Sequence, residues 1–137
     1  MAHSTYTYSP GLGNSAAYQV SGKPFVTGNV NPAVTSKIGF PGVTSWVVIS
    51  NNDNSTVRVA FSANGLNAGH SNYYTVPANS QSPRLDLKVT ELHLSTGGST
   101  SVDIMAGITY IDTEQINNSS VSPSGTNWSG SAGALVG

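Results

Sequence analysis

The feature that most constrains this chain is a series of short segments, within residues 35–111, in which apolar and polar residues alternate one by one. A period of two places successive side chains on opposite faces of a β-strand, whereas an α-helix requires a period near 3.6. Val57, Val59 and Phe61 share one face in this way, and Arg58 takes the other. Helical periodicity is not developed in any segment, so the sequence predicts an all-β fold.

Further strands are predicted where the same alternation recurs or where the chain is apolar on both faces. Residues 46–49 are of the second kind, which is typical of a strand buried between two layers. Asn, Gly, Pro and Ser cluster between the segments and favour turns. Seven or eight short strands without helices to cover a parallel sheet indicate an antiparallel β-sandwich or single jelly roll. The remaining predicted strands are 25–29, 36–40, 73–76, 85–89, 91–94 and 104–110.

Two long segments with almost no charge flank the strands. We therefore predict an N-terminal arm at residues 1–34, a sandwich domain at 35–112 and a C-terminal Gly/Ser-rich tail at 113–137. Segments that stay disordered in water are usually highly charged and poor in aromatic residues, whereas these segments carry several aromatic side chains. They are candidates for contact with a partner protein, and the candidate interface residues are Tyr6, Tyr8, Tyr18, Phe25 and Trp128.

The C-terminal tail has two interpretations. Its Gly and Ser content is typical of a flexible linker. Trp128 favours the other interpretation, because an indole exposed to water is costly and Trp is a preferred interface anchor. We expect Trp128 to dock against protein.

The charge composition excludes several partners. Charged residues make up 8% of the chain against about 25% in an average protein. The formal net charge is −1 and the few cations are scattered, so we expect no nucleic acid and no acidic membrane surface as a partner. No apolar stretch is long enough to span a bilayer and the first ten residues do not resemble a signal peptide, so we expect neither insertion nor secretion. Cysteine is absent, so neither disulfides nor thiolate metal sites are available.

Candidate catalytic groups are few. His3, His70 and His93 have no metal-binding spacing, and we expect them to be solvated or locally hydrogen-bonded. No motif for nucleophilic catalysis or for phosphate binding occurs in its required context. The sequence therefore predicts no catalytic residue, no cofactor and no metal, although a Ca²⁺ ion at residues 51–54 remains a minor alternative.

Three carboxylates leave a second alternative open. Asp86, Glu91 and Asp103 lie on strands that could neighbour one another, and a carboxylate pair is what glycosidases use. Each also alternates with core residues as an outward-facing charge would, so surface salt bridges with Arg84 or Lys88 are the simpler expectation.

Tyr73 and Tyr74 offer a third alternative, a carbohydrate-binding platform of the kind that β-sandwiches often carry. Adjacent residues on a strand point to opposite faces, so the simpler expectation is that one Tyr side chain points inward and the other points outward.

Five segments resemble small virion structural proteins, and the family they resemble most is the jelly-roll cement, or head-decoration, proteins of tailed phages. The segments read YQVSGKPFVTG, FPGVTSW, VRVAFSANGL, RLDLKVTEL and NWSGSAG, at residues 18–28, 40–46, 57–66, 84–92 and 127–133.

The resemblance implies a β-sandwich that forms homo-oligomers on the outside of an icosahedral shell. Such a protein would be made in the host cytoplasm and would clamp neighbouring subunits of the major capsid protein through extended arms. A trimer is favoured; a pentamer is the alternative, because a small jelly roll can also serve as a penton or spike base. Residues 6–25 would act as an arm, and the core would include Trp46, Val59, Phe61, Leu85, Leu87 and Ile108.

Overall fold

The structure is a computed structural model that describes residues 22–130 and 135–137. These residues form eight β-strands and two short 3-10 helices, Asn64–Leu66 and Thr113–Gln115, without any α-helix. Within the same residues, no helix has the length and hydropathy needed to cross a membrane. The strands are β1 Lys23–Val30, β2 Lys37–Gly39, β3 Thr44–Asn51, β4 Val57–Ala60, β5 Tyr73–Val76, β6 Ser80–Gln81, β7 Glu91–Leu94 and β8 Val102–Ile108.

The strands form two four-stranded antiparallel sheets packed face to face. The first sheet has the order β1-β8-β3-β6 and the second has the order β2-β7-β4-β5. Four of the pairings are nested, since β1 pairs with β8, β2 with β7, β3 with β6 and β4 with β5. This pattern is that of one long hairpin rolled up, with the β3–β8 and β4–β7 pairings closing each sheet. The all-β antiparallel sandwich or single jelly roll predicted from the sequence is confirmed as a two-sheet sandwich, and its nested pairing is typical of a jelly roll.

The core lies between the two sheets and consists mostly of β-branched and leucine side chains. The alternation predicted for β4 and β8 is confirmed, because Val57, Val59, Val102 and Ile104 all point inward and are almost fully buried. Each such side chain contributes about 1.5 to 3 kcal/mol when it leaves water. The sequence pattern therefore fixes which face of each sheet meets the other.

Two strand predictions need correction. Residues 46–49 are not buried on both faces: Val47 and Ile49 are in the core, while Trp46 and Val48 are half-buried on the outer side. Residues 85–89 do not form a continuous strand. Leu85 makes an isolated bridge with Val47, with both N–O distances at 2.8 Å, and the chain then crosses from one sheet to the other.

The boundaries of the jelly roll extend beyond residues 35–112. β1 starts at Lys23 and forms an edge of the first sheet. At the other end, β8 stops at Ile108, so Tyr110 of the predicted strand 104–110 lies outside it and is exposed. Ile111 and Ile116 then enter a second small core with Val43. Residues 113–130 thus pack onto the sandwich.

Candidate interaction surfaces

The outer side of the first sheet carries a row of apolar side chains across three adjacent strands. Val26 on β1 is opposite Met105 on β8, and Met105 is opposite Val48 on β3. Directly paired residues point to the same side of a sheet. Val26 is 68% exposed and Met105 is 46% exposed. These three residues face away from the core and have no layer above them among the described residues.

A second row extends this apolar area. Pro24, Gly107 and Trp46 are paired across the same three strands. The Trp46 indole lies against Gly107, since a Cβ atom built on that glycine would be 2.3 Å from Trp46 Nε1. Gly107 therefore creates the space in which the indole packs on the sheet. The Arg84 guanidinium lies 5.7 Å from the centre of the indole ring and borders the area.

We call Pro24, Val26, Trp46, Val48 and Met105 the outer apolar face. Its nearest carboxylate along β8 belongs to Asp103, which accepts hydrogen bonds from the Asn29 backbone N–H at 2.7 Å and from Asn52 Nδ2 at 2.8 Å. The face itself carries no charge. A continuous exposed apolar area of this kind is typical of a protein interaction site.

The outer apolar face was not predicted, because strand alternation identifies the inward residues of a strand. The signal was present in the sequence. Val26 and Met105 occupy positions that the alternation assigns to solvent, and both are apolar. Apolar residues on the outer face of two paired strands indicate that this face of the sheet is also buried or binds a partner.

The predicted interface residues occupy different places. Tyr6, Tyr8 and Tyr18 lie outside the described residues. Phe25 lies on β1, points inward and meets Phe40 edge to face, with ring centres 5.0 Å apart. Phe25 thus contributes to the core, and any contact with a partner stays a prediction.

Trp128 docks on its own chain. Its half-buried ring packs against Val43, Ile111 and Ile116, and its Nε1 donates to the Lys88 carbonyl at 3.2 Å. Its backbone N–H donates to Ser122 Oγ at 2.7 Å. The expectation that this indole docks against protein agrees with this contact, whereas its role at a partner interface stays a prediction.

A largely buried pair of a carboxylate and an imidazole lies on the outer side of the second sheet. Glu91 and His93 point away from the core on β7, and the His93 Nε2 to Glu91 Oε2 distance is 2.5 Å. The other carboxylate oxygen is 3.6 Å from Lys37 Nζ on the neighbouring strand. The Glu91 side chain is only 8% exposed. Glu91 therefore points away from the core as expected, but its carboxylate is not the exposed surface charge that was expected. It lines a cavity together with residues of the C-terminal segment.

The other charged candidates behave as surface groups. Arg84 Nε and Asp86 Oδ1 are 2.9 Å apart with both side chains exposed, which is the predicted kind of surface salt bridge. Glu91 does not pair with Arg84 or Lys88 as the sequence suggested; it pairs with Lys37 and His93. His70 is exposed in its turn.

The loop at residues 51–55 is held by hydrogen bonds. Asp53 Oδ2 accepts from the Thr100 hydroxyl at 2.7 Å and from the Thr100 N–H at 2.9 Å, and Oδ1 accepts from the Ser55 N–H at 3.2 Å. These bonds, the Thr100 hydroxyl first, lower the pKa of Asp53 below its ordinary value of 3.8. Within residues 22–130 and 135–137, no group of three or more His, Asp or Glu side chains is placed to hold a metal ion.

Tyr73 and Tyr74 do not share a face. Tyr73 pairs with Ala60 and Tyr74 pairs with Val59, which point to opposite sides of the second sheet. The Arg58 guanidinium lies 4.5 Å from the centre of the Tyr73 ring. The two rings cannot form one flat platform for a sugar.

No family model, no curated protein and no solved structure matches the chain.

Proposed function

We propose that this protein is a virion structural protein that docks on the outside of an icosahedral shell and stabilises it as a cement or decoration protein. The outer apolar face is the observation that carries the proposal. A jelly roll alone does not choose among capsid, lectin and cupin functions, because unrelated functions share this fold. An uncharged apolar sheet face is suited to lying against another protein.

The sequence before β1 is suited to the same role. Gly22 lies against the backbone of Gly107 and Ile108, so the chain enters the first sheet beside Trp46 and Pro24 of the outer apolar face. A segment of 21 residues reaches at most about 70 Å when extended. Residues 1–21 contain three tyrosines and no Asp, Glu, Lys or Arg. An arm of this composition can bury hydroxyl and aromatic groups on the major capsid protein without burying an ion.

The stabilising mechanism is thermodynamic. A protein that binds only the assembled shell lowers the free energy of that state and opposes its rupture under the pressure of a packaged genome. A homo-oligomer presents several copies of the arm and of the outer apolar face, so contacts that are weak one by one act together. We propose a trimer, and a pentamer would instead favour the penton or spike-base role at a five-fold vertex.

Co-sedimentation with empty shells of the source virus tests the proposal. The full chain should sediment with the shells. Removal of residues 1–21, and separately the double substitution Val26→Ser with Met105→Ser, should each weaken binding about tenfold or more, which corresponds to 1.4 kcal/mol or more. The matched control is Val34→Ser, since Val34 is an exposed valine in the loop after β1 and lies outside the outer apolar face.

Two results would contradict the proposal. One is a full chain that stays in the supernatant, and the other is sedimentation undiminished by both changes. A separate measurement, native mass spectrometry of the isolated protein, gives the oligomeric state. A monomer at tens of micromolar would argue against the multivalent mechanism.

A further inference from the structure

A cavity of about 200 Å³ lies on the outer side of the second sheet. Its floor is the Glu91 and His93 pair on β7, and its rim comes from the turn after β4 and from the C-terminal segment. The described residues that line it include seven with polar side chains: Ser62, Asn64, Glu91, His93, Ser124, Thr126 and Ser129. The cavity is therefore built by three separate parts of the chain and exists only when the C-terminal segment is in place.

Ser129 gives the cavity its main unexplained feature. The residue is 2% exposed, and its hydroxyl makes no hydrogen bond to any residue within 22–130 and 135–137. Buried hydroxyls almost always have a partner, because an unpaired one costs about 1 to 3 kcal/mol. The Thr126 hydroxyl and the Asn64 side-chain N–H group, in the same described part of the chain, also have no protein partner. The cavity thus presents several unused hydrogen-bonding groups together.

The charges around the cavity define the ligand class. Among the described residues of the lining, Glu91 is the one carboxylate, and it is already paired with His93 and Lys37. Neither Lys nor Arg lines the cavity, so an anion has no cationic partner there. The hydroxyl, amide and imidazole groups around it recognise a neutral molecule rich in hydroxyl groups. We propose that this cavity binds a single neutral sugar ring.

The size of the cavity agrees with this ligand. At roughly 30 Å³ for each water molecule, the space holds about seven waters. A sugar ring replaces such waters with hydroxyl groups in similar positions. A longer oligosaccharide would extend beyond the cavity over the neighbouring surface.

The sugar site is independent of shell docking. It lies on the second sheet, whereas the outer apolar face lies on the first sheet, on the opposite side of the sandwich. A protein docked through the first sheet would turn the cavity away from the shell. Binding of sugar and binding to shells can therefore be measured, and can fail, separately.

Protein NMR with the methyl glycosides of glucose, mannose, galactose and N-acetylglucosamine tests the inference. We expect saturable shifts with at least one of these probes at millimolar concentration, largest at the amides of Asn64, His93 and Thr126. Ser129→Ala and Thr126→Val should each weaken binding about five- to tenfold through loss of one hydrogen bond. The matched control is Ser80→Ala, a serine on the first sheet whose hydroxyl bonds only to the Ala78 carbonyl.

The inference is wrong if none of the four glycosides gives saturable shifts. It is also wrong if shifts centre on Tyr73, Tyr74 or Ser80, or if neither cavity variant changes the affinity. Thermal unfolding of each variant checks the fold. If Ser129→Ala does not fold, the glycoside affinity of Thr126→Val tests the inference instead, because Thr126 is less buried and its substitution disturbs the fold less.

Discussion

The side-chain oxygen of Asn127 accepts a hydrogen bond from the Thr90 backbone N–H at 2.6 Å. The Thr90 hydroxyl lies 3.0 Å from the same oxygen and 2.9 Å from Asn117 Oδ1, and shares its one hydrogen between them. The nitrogen of the same amide donates to the carbonyls of Phe61, at 3.0 Å, and Glu91, at 2.7 Å. The β4–β7 pairing ends at Ala60 and His93. One buried amide thus joins the two strands where their own ladder stops, and it makes the C-terminal segment part of the fold.

Asn127→Ala should lower the free energy of unfolding by about 2 to 4 kcal/mol, because it leaves several buried polar groups without partners. Chemical denaturation followed by fluorescence measures the change. The control is Asn67→Ala, an exposed asparagine with a single side-chain hydrogen bond, which should cost less than about 0.5 kcal/mol. Equal effects of the two substitutions would show that the C-terminal segment is not fixed by this amide.

Gly107→Ala should destabilise the first sheet by about 1 to 3 kcal/mol, since the new methyl group would displace the Trp46 indole. The tryptophan emission should also shift as the ring moves into solvent. Gly39→Ala on β2 is the control, because a Cβ atom there meets nothing within 4 Å. An unchanged emission spectrum in Gly107→Ala would mean that the indole does not rest on this glycine.

Glu91→Gln should cost about 1 to 3 kcal/mol, because it breaks a largely buried pair with His93 and removes the partner of Lys37. Asp86→Asn breaks the exposed pair with Arg84 and should cost less than about 1 kcal/mol. Urea unfolding of the two variants gives the comparison. A larger loss for Asp86→Asn would reverse the assignment of which carboxylate is structural.

Asp53 should titrate below 3.8, its ordinary pKa, and Thr100→Val should move its pKa upward. Because the folded state has the lower pKa, the stability from this carboxylate is fully present above 3.8 and is lost as the pH falls through the folded value. Carbon NMR of the carboxyl group follows the titration directly. Thr96→Val in the same loop leaves the Thr100 hydroxyl in place and should leave the titration unchanged.

Alternation was sufficient to predict the strands whose inner and outer residues differ in polarity. Val57 and Val59 on β4 show this, because both are buried and Arg58 between them is exposed. The predicted strand 73–76 agrees with β5. Alternation was insufficient where pairing depends on distant residues. Residues 85–89 have the right pattern, yet they cross between the sheets with Leu85 alone bridged to Val47.

The sequence could not show what the C-terminal segment does. Ser, Gly and Asn are compatible with both a flexible tail and a tightly hydrogen-bonded cover. Asn127 acts through partners that lie far away in sequence, Thr90 and Glu91. Hydrogen bonds between residues far apart in the sequence leave no periodic pattern from which they could be predicted. The burial of Glu91 and the cavity beside it follow from that cover and were likewise hidden.

The nested pairing of the strands has a consequence for how the protein is made. The innermost hairpin, β4 with β5, can close as soon as the middle of the chain leaves the ribosome, but β1 has to wait for β8. Until then the apolar sides of β1 and β3 have no cover. We expect nascent chains that stop before Val102 to be sensitive to protease and chains that extend through Trp128 to be resistant. Exposure of these apolar sides to water until β8 is complete makes the nascent chain prone to aggregation.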